Sequence, residues 1–174
     1  MGSGGVAIAA LPTVICLKVP FSDGLGGVTI DTRIIKKDMI MIGMDTGSAC
    51  LPNNVATHLY LSGNNSKIIF KGSCIISNGT GIRIDNCHLS IGNNFYCNSG
   101  CFLKLTEDTD IGNDCMFGWN ITLSTSDGHN VIKGNKHISM QGPINIDDHV
   151  WVCSNSTLTK NSYIREVLLF HNTH

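Results

Sequence analysis

Hydrophobic residues recur at every sixth position through much of the second half of the chain. The runs are Ile91, Cys97 and Leu103; Leu105, Ile111, Phe117 and Leu123; and Ile146, Val152, Leu158 and Ile164. A period of six fits neither an α-helix nor simple two-residue alternation. It is typical of short strands that each place one apolar side chain inside a coil. We interpret the two-residue shift between Leu103 and Leu105 as an insertion at a corner.

Turn-prone residues follow several of these anchors, as in Ile91-Gly92, Ile111-Gly112 and Ile146-Asp147. Gly, Asn and Asp tolerate the positive φ that a sharp corner requires. Three sides then make one triangular coil of about 18 residues, and stacked coils bury a continuous apolar column. The sequence therefore predicts an all-β fold, a left-handed parallel β-helix of hexapeptide repeats. The alternative, an antiparallel β-sandwich, needs long alternating strands, and these are absent after Ile91.

The six-residue period divides the chain into three predicted parts. Residues 1–60 show no clear repeat, so we expect an irregular segment packed on the coil. Residues 61–164 form the predicted β-helix, with looser early coils around 68–70, 74–76 and 82–84. Residues 165–174 have lost the period, which indicates a short cap or a truncated end.

The period also breaks between Asp127 and Pro143. This segment has no apolar anchors at the required spacing, so it must leave the coil and return. Long loops inside compact repeat folds usually carry function. We therefore predict an extruded loop near 127–143, with His129 on it.

Composition excludes several classes of protein. Hydrophobic residues make up 42% and charged residues 14%, with a net charge of −1. This balance argues against a disordered chain and against broad nucleic-acid binding. The apolar run 6–19 contains Pro12 and is shorter than the roughly 20 residues of a membrane span, so it predicts a strand or cap. The eight cysteines form no Cys-x-x-Cys pair and are expected to be reduced apolar fillers in a cytoplasmic protein.

Four segments together resemble a known family. Residues 91–98, 111–117, 125–129 and 146–151 read Ile-Gly-Asn-Asn-Phe-Tyr-Cys-Asn, Ile-Gly-Asn-Asp-Cys-Met-Phe, Thr-Ser-Asp-Gly-His and Ile-Asp-Asp-His-Val-Trp. In this order they resemble the hexapeptide-repeat acetyltransferases over about residues 68–164. The resemblance is greatest to the galactoside and maltose O-acetyltransferases and to the capsular-polysaccharide O-acetyltransferases.

The resemblance implies direct transfer of an acetyl group from acetyl-CoA to a saccharide hydroxyl. His129 matches the family's general base, and imidazole suits that role near neutral pH. Asp127 either orients the imidazole ring or ends a turn. Asn98 matches an asparagine that reaches toward the acceptor and the reacting carbonyl, and the alternative is a corner residue that favours positive φ.

The donor side of the site is implied in the same way. Trp151 matches a tryptophan beside the pantetheine arm, and otherwise it is a surface aromatic residue. Ser154 matches a serine near the thioester, where donors would stabilise an oxyanion. The family forms homotrimers with the active site between adjacent prisms. Two departures bear on the coenzyme site: Cys153 stands where the family often has Gly, and the repeats stop after Ile164.

Three alternatives remain open at this stage. The chain could be a β-helix that has lost acyl transfer and serves as a binding or structural trimer. It could also acetylate the nitrogen of an amino sugar. The γ-type carbonic anhydrases share the fold and bind metal through histidines, but the histidines here lack that family's spacing. We therefore expect no metal site and interpret His149 as a corner residue.

Overall fold

The computed structural model describes residues 16–17, 27–30, 39–44 and 55–165. Regular structure in these ranges is entirely β-strand. In chain order the strands are β1 (Cys16–Leu17), β2 (Gly27–Ile30), β3 (Ile40–Met44), β4 (His58–Ser62), β5 (Lys67–Phe70), β6 (Cys74–Ser77), β7 (Gly81–Asp85), β8 (His88–Ile91), β9 (Phe95–Cys97), β10 (Phe102–Leu105), β11 (Thr109–Ile111), β12 (Met116–Phe117), β13 (Thr122–Ser124), β14 (Val131–Lys133), β15 (Lys136–Ile138), β16 (Ile144–Ile146), β17 (Trp151–Val152), β18 (Thr157–Thr159) and β19 (Tyr163–Ile164).

Three parallel sheets form the faces of a prism. Face 1 has the order β1-β3-β6-β9-β12-β17, face 2 the order β4-β7-β10-β13-β18, and face 3 the order β2-β5-β8-β11-β16-β19. From β6 onward the chain visits faces 1, 2 and 3 in turn, apart from the β14–β15 pair. The result is about five turns of a left-handed parallel β-helix, which confirms the fold predicted from the period.

The predicted anchors line the interior of the prism. On face 2, Leu103 is the register partner of both Ile82 and Leu123, and all three are at most 3% exposed. Equivalent columns on faces 1 and 3 include Phe117 and Ile144, each fully buried. Stacking these side chains removes a continuous apolar surface from water, which is the main force that holds such a coil together.

The coils are longer than the sequence pattern predicted. Ile82, Leu103 and Leu123 are register partners spaced by 21 and then 20 residues, whereas Ile146 and Ile164 are 18 apart. In the longer coils, strands such as β10 place two side chains inside. Leu103 and Leu105 are both buried within that single strand. The interpretation of their two-residue shift as a corner insertion was therefore wrong.

Polar residues at positive φ make the corners, as the sequence predicted. Asn94, Asp114 and His149 stack in successive coils at the corner between faces 3 and 1, with φ between 54° and 59°. The Asn94 side-chain amide donates a hydrogen bond to Asp114 Oδ1 at 2.8 Å. His149 is thus a corner residue, with its Nδ1 3.7 Å from Asp114 Oδ2.

Strands on the N-terminal side of residue 61 take part in the same sheets. β2 pairs with β5 on face 3, β3 with β6 on face 1, and β4 with β7 on face 2. The division of the chain at residue 60 stays a prediction. Residues 166–174, where the cap was predicted, and most of 1–54 lie outside the described residues. The described ranges contain no helix that is long and apolar enough to span a membrane.

Candidate functional site

A β-hairpin leaves the prism at the corner between faces 2 and 3. Its strands β14 and β15 pair antiparallel, and they belong to none of the three faces. At its base, the Asp127 amide donates to Met140 O at 2.9 Å and the Gly142 amide donates to Thr125 O at 3.0 Å. The segment without anchors near 127–143 is therefore an extruded loop, as predicted, and it is ordered as a hairpin.

His129 lies on the first leg of this hairpin, where it is exposed to solvent. It follows Gly128, which has a φ of 76° and open space around its Cα. Within the described residues the imidazole has neither a hydrogen-bond nor an ion-pair partner. An exposed imidazole without a partner can accept a proton from a bound ligand.

Lys160 holds the hairpin from the following coil. Its Nζ forms an ion pair with Asp127 Oδ2 and donates a hydrogen bond to Ser139 O at 2.6 Å. The lysine side chain is only 16% exposed. Both legs of the hairpin are therefore attached to one ammonium group at the corner between β18 and β19.

This arrangement assigns Asp127 a contact that the sequence did not predict. Its carboxylate engages Lys160, and the structure shows neither a hydrogen bond nor an ion pair between it and the His129 ring. Sequence reasoning missed Lys160 altogether. No local motif marks it, because it meets Asp127 only when successive coils stack.

Asn98 is at the corner between faces 1 and 2 and is 7% exposed. Its Nδ2 donates to Phe117 O at 3.0 Å, and its backbone amide donates to the same carbonyl at 3.0 Å. The Cys101 thiol donates to Asn98 O at 3.3 Å. Asn98 lacks positive φ, so its role in the coil is to tie one corner to the next through hydrogen bonds.

Trp151 and Ser154 lie near that same corner, one coil beyond Phe117. Trp151 points outward from face 1 and is 67% exposed, beside its register partner Met116 at 44%. Ser154 Oγ accepts a hydrogen bond from the Trp119 amide at 3.0 Å. Gly118 lies so close to this serine that a Cβ there would meet Ser154 Oγ at 2.5 Å. Trp151 and Met116 thus form an exposed apolar strip, with Ser154 at its end.

The predicted residues therefore fall on two different edges of one prism. His129 and Asp127 belong to the edge between faces 2 and 3, whereas Asn98 and Ser154 belong to the edge between faces 1 and 2. A face 2 strand of three to five residues separates the two edges, roughly 10 to 16 Å at about 3.3 Å per residue. Only the family resemblance links the two groups into one site.

Burial governs the chemistry of the cysteines. Desolvation raises the pKa of the Cys87 thiol to about 12, and it also raises the pKa of Cys74. The six cysteines between residues 55 and 165 are free thiols, and Cys153 alone among these six is exposed. The same ranges contain no group of three or more His, Cys, Asp or Glu side chains that could hold a metal ion.

Comparison with known proteins identifies the fold. No protein-family model and no curated protein sequence matches the chain. Among solved structures, the chain is similar to the crystal structure of the polySia-specific acetyltransferase NeuO, with a TM-score of 0.52 and 17% sequence identity. The similarity covers 85% of this chain and 80% of that one. It establishes a shared β-helical architecture over most of both chains.

Proposed function

We propose that this protein is a hexapeptide-repeat acetyltransferase that moves an acetyl group from acetyl-CoA to a saccharide hydroxyl, with His129 as general base. One observation carries the proposal: a hairpin clamped by Lys160 presents at a prism edge an exposed histidine that has no partner in the described part of the chain. The acetyltransferase with the same architecture supports this class of reaction. It does not distinguish the galactoside, maltose and capsular subgroups.

In the proposed reaction, His129 takes the proton from the acceptor hydroxyl as its oxygen attacks the thioester carbonyl. The new C–O ester bond forms while the C–S bond breaks, and the proton passes to the departing thiolate. No acyl-enzyme is required. A base placed in this way typically contributes about 10²–10⁴-fold to the rate.

The surface around Trp151 fits an acetyl-CoA donor. The exposed strip of Trp151 and Met116 offers apolar contact for a pantetheine arm. Ser154 Oγ accepts from the chain, so its own proton remains available to donate toward a carbonyl. Cys153 is exposed at the corner and therefore points away from the core.

We further propose that the site forms between two copies of the chain in a cytoplasmic homotrimer. Support comes from the separation of His129 and Asn98 on different edges, since a neighbouring prism can bring one edge against the other. The free thiols fit a reducing compartment. Asn98 then positions the carbonyl of Phe117 and the corner, because its Nδ2 donates one hydrogen to that carbonyl.

A second candidate is a β-helix that binds saccharide without acyl transfer. The burial of Asn98 favours it, because a side chain that is 7% exposed and donates one Nδ2 hydrogen to Phe117 O presents little surface to an acceptor. The two candidates differ in whether acetyl-CoA is bound and consumed.

The test combines calorimetry with acetyl-CoA, size measurement by light scattering, and a thiol-release assay over a panel of neutral, acidic and amino sugars. We expect acetyl-CoA binding by a trimer and thiol release with a hydroxyl acceptor. Intact trimer that gives no heat at millimolar acetyl-CoA would contradict the enzyme and favour the binding protein. Release with amino sugars alone would instead indicate N-acetyl transfer.

A further inference from the structure

Ser90 is an outward-facing residue that the fold nevertheless buries. Its neighbours Leu89 and Ile91 point into the prism, at 0% and 1% exposure, so Ser90 points outward from face 3. Yet Ser90 is only 5% exposed, and its Oγ has no hydrogen-bond partner among the residues that the structure describes. A buried hydroxyl without a partner is costly, so a ligand that supplies the missing hydrogen bond would be favoured at this position.

The Ser90 hydroxyl borders a cavity of about 240 Å³ on face 3. Its walls include Ile69, Lys71, His88, Asp108 and Asp110. A second cavity of about 430 Å³ shares Lys71 and Asp110 with the first and continues over Gly112 to Asp147 and Asp148. The two together make one groove along face 3, in the size range of small-molecule sites.

Two carboxylates of the groove already accept hydrogen bonds from within the chain. The His88 amide donates to Asp108 Oδ1 at 2.8 Å, and the Tyr163 hydroxyl donates to Asp147 Oδ2 at 3.2 Å. By contrast, Lys71 and Asp110 make no side-chain hydrogen bond or ion pair within the described part of the chain. One donor, one acceptor and the Ser90 hydroxyl are therefore left for a ligand.

The charge of the groove restricts what can bind there. Four carboxylates, those of Asp108, Asp110, Asp147 and Asp148, line it with one lysine. Hydrogen bonds from the backbone and side chain of Asn113 lower the pKa of Asp148, which keeps that carboxylate ionised. An anionic ligand would meet net repulsion along the groove, whereas hydroxyl groups can donate to the carboxylates.

We propose that this face 3 groove binds an uncharged, hydroxyl-rich chain, a neutral oligosaccharide, and rejects carboxylated saccharides. Ser90 and Lys71 donate to sugar oxygens while Asp110 accepts from a sugar hydroxyl. As a binding site the groove stands on its own residues; its role as acceptor subsite rests on the function proposed above. The chain would then differ in acceptor charge from a polySia-specific enzyme.

The groove opens at the edge from which the His129 hairpin leaves. Asp108 O accepts a hydrogen bond from the Ile144 amide at 3.3 Å, and Ile144 is where the chain rejoins the prism after the hairpin. A saccharide lying in the groove therefore extends toward the hairpin edge. This connection is what makes the groove an acceptor subsite.

The experiment titrates the full chain, by calorimetry and saturation-transfer NMR, with uncharged glucan, galactan and mannan hexasaccharides and with sialic acid oligomers of equal length. We expect binding of at least one neutral chain and none of the acidic oligomer. Ser90→Ala should weaken that binding by about five- to tenfold, the value of one hydrogen bond. Its Tm should be unchanged or raised, because the unpartnered hydroxyl is gone.

Asp110→Asn should weaken binding of the neutral chain by a similar factor, because it removes the charged acceptor. Asp114→Asn is the matched control, since it makes the same charge change at a corner outside the groove, and we expect parental affinity. Equal affinity for the neutral hexasaccharides and the sialic acid oligomers overturns the proposal. Parental affinity in both Ser90→Ala and Asp110→Asn also overturns it. The same holds if the groove binds only Mg²⁺ or a polyamine.

Two further measurements separate this proposal from the proposed function. His129→Ala should keep saccharide affinity while losing acetyl transfer. If the parent protein transfers no acetyl group but Ser90→Ala still weakens saccharide binding, the groove is supported and the enzyme is not. If the parent is active and Ser90→Ala leaves the acceptor KM unchanged, the enzyme is supported and the groove is contradicted.

Discussion

The ammonium group of Lys160 pairs with the carboxylate of Asp127, which lies 33 residues earlier in the chain. The same ammonium donates to Ser139 O on the other leg of the hairpin. One side chain from the last described coil thus fixes both ends of the loop that carries His129. The placement of the proposed base depends on this contact between coils.

Replacing Lys160 by methionine should loosen the hairpin while the prism stays folded. The pair is partly exposed, so we expect a loss of about 1 kcal/mol or less in the free energy of unfolding. Hydrogen exchange should rise within residues 127–141, and acetyl transfer should fall mainly in kcat, because the base is less well placed. Exchange rates by mass spectrometry and steady-state kinetics measure the two effects.

Lys136→Met is the matched control for this variant, because Lys136 is an exposed lysine on β15 at the far end of the hairpin. We expect its exchange pattern and kcat to equal those of the parent. If Lys160→Met behaves like Lys136→Met in both measurements, the clamp has no part in positioning His129.

Substituting His129 by alanine should lower kcat/KM for acetyl transfer by about 10²–10⁴-fold, the usual contribution of a general base. Stability should hardly change, because the side chain is exposed and, among the described residues, unpartnered. His137→Ala tests the specificity of the effect, since His137 is an exposed histidine on the same hairpin. Equal rates in the two variants would remove His129 from the mechanism.

Much of the fold was predictable because each buried anchor is a local property of the sequence. The six-residue spacing of residues such as Ile111 and Phe117 identified the β-helix, and the break after Asp127 identified the extruded loop, although not its hairpin form. The number of residues in each coil was harder to predict from the sequence. The shift between Leu103 and Leu105 fits either a corner insertion or a strand with both side chains inside. Only the three-dimensional structure shows that β10 is the second case.

The contacts between coils lay beyond sequence reasoning. Lys160 and Asp127 are 33 residues apart in sequence and meet because the coils stack. The six-residue period does not indicate which polar side chains face each other outside the prism. Ser90 is similar: it alternates with the inward Leu89 and Ile91, while its burial depends on the neighbouring coils. The assignments of Asn98, Trp151 and Ser154 to one site stay predictions that depend on the arrangement of subunits.

Replacing Gly112 by alanine should destabilise the β-helix. A Cβ at this corner would lie 2.5 Å from the Asp147 carbonyl carbon and 2.5 Å from the Asp148 amide nitrogen of the next coil. Backbone atoms cannot rotate away, so we expect a loss of about 1–3 kcal/mol, as in other overpacked sites. Urea unfolding measures it. Asn130→Ala serves as the comparison at an exposed position on the hairpin, and a Gly112→Ala midpoint at or above that of Asn130→Ala contradicts the close packing.

Thiol labelling should distinguish Cys153 from the buried cysteines. Cys153 is exposed, whereas Cys87, Cys97 and Cys115 are at most 3% exposed. Iodoacetamide applied to the native protein should therefore modify Cys153 first among the described cysteines, and the others should react only after unfolding. Peptide mass spectrometry checks the order. Rapid native labelling at Cys97 would show that face 1 opens far more readily than its burial implies.

Alkaline pH should destabilise the protein because the thiol of Cys74 is buried. Burial raises the pKa of this thiol well above its ordinary value of 9.0. Above that pH the unfolded chain loses the proton while the native chain keeps it, so unfolding is increasingly favoured. Below about pH 8, Cys74 therefore adds no pH dependence to the free energy of unfolding. Above pH 9 it lowers that free energy by about 1.4 kcal/mol for each pH unit.

Cys74→Ala removes this proton and should follow a shallower decline in the free energy of unfolding between about pH 9.5 and 10.5, by about 1.4 kcal/mol per unit. The variant begins less stable at neutral pH, because a buried side chain has been shortened, so its deficit narrows as the pH rises. Cys153→Ala controls for loss of a thiol as such, at an exposed position. Parallel declines for the parent and Cys74→Ala would mean that the Cys74 thiol ionises as freely in the folded chain as in the unfolded one.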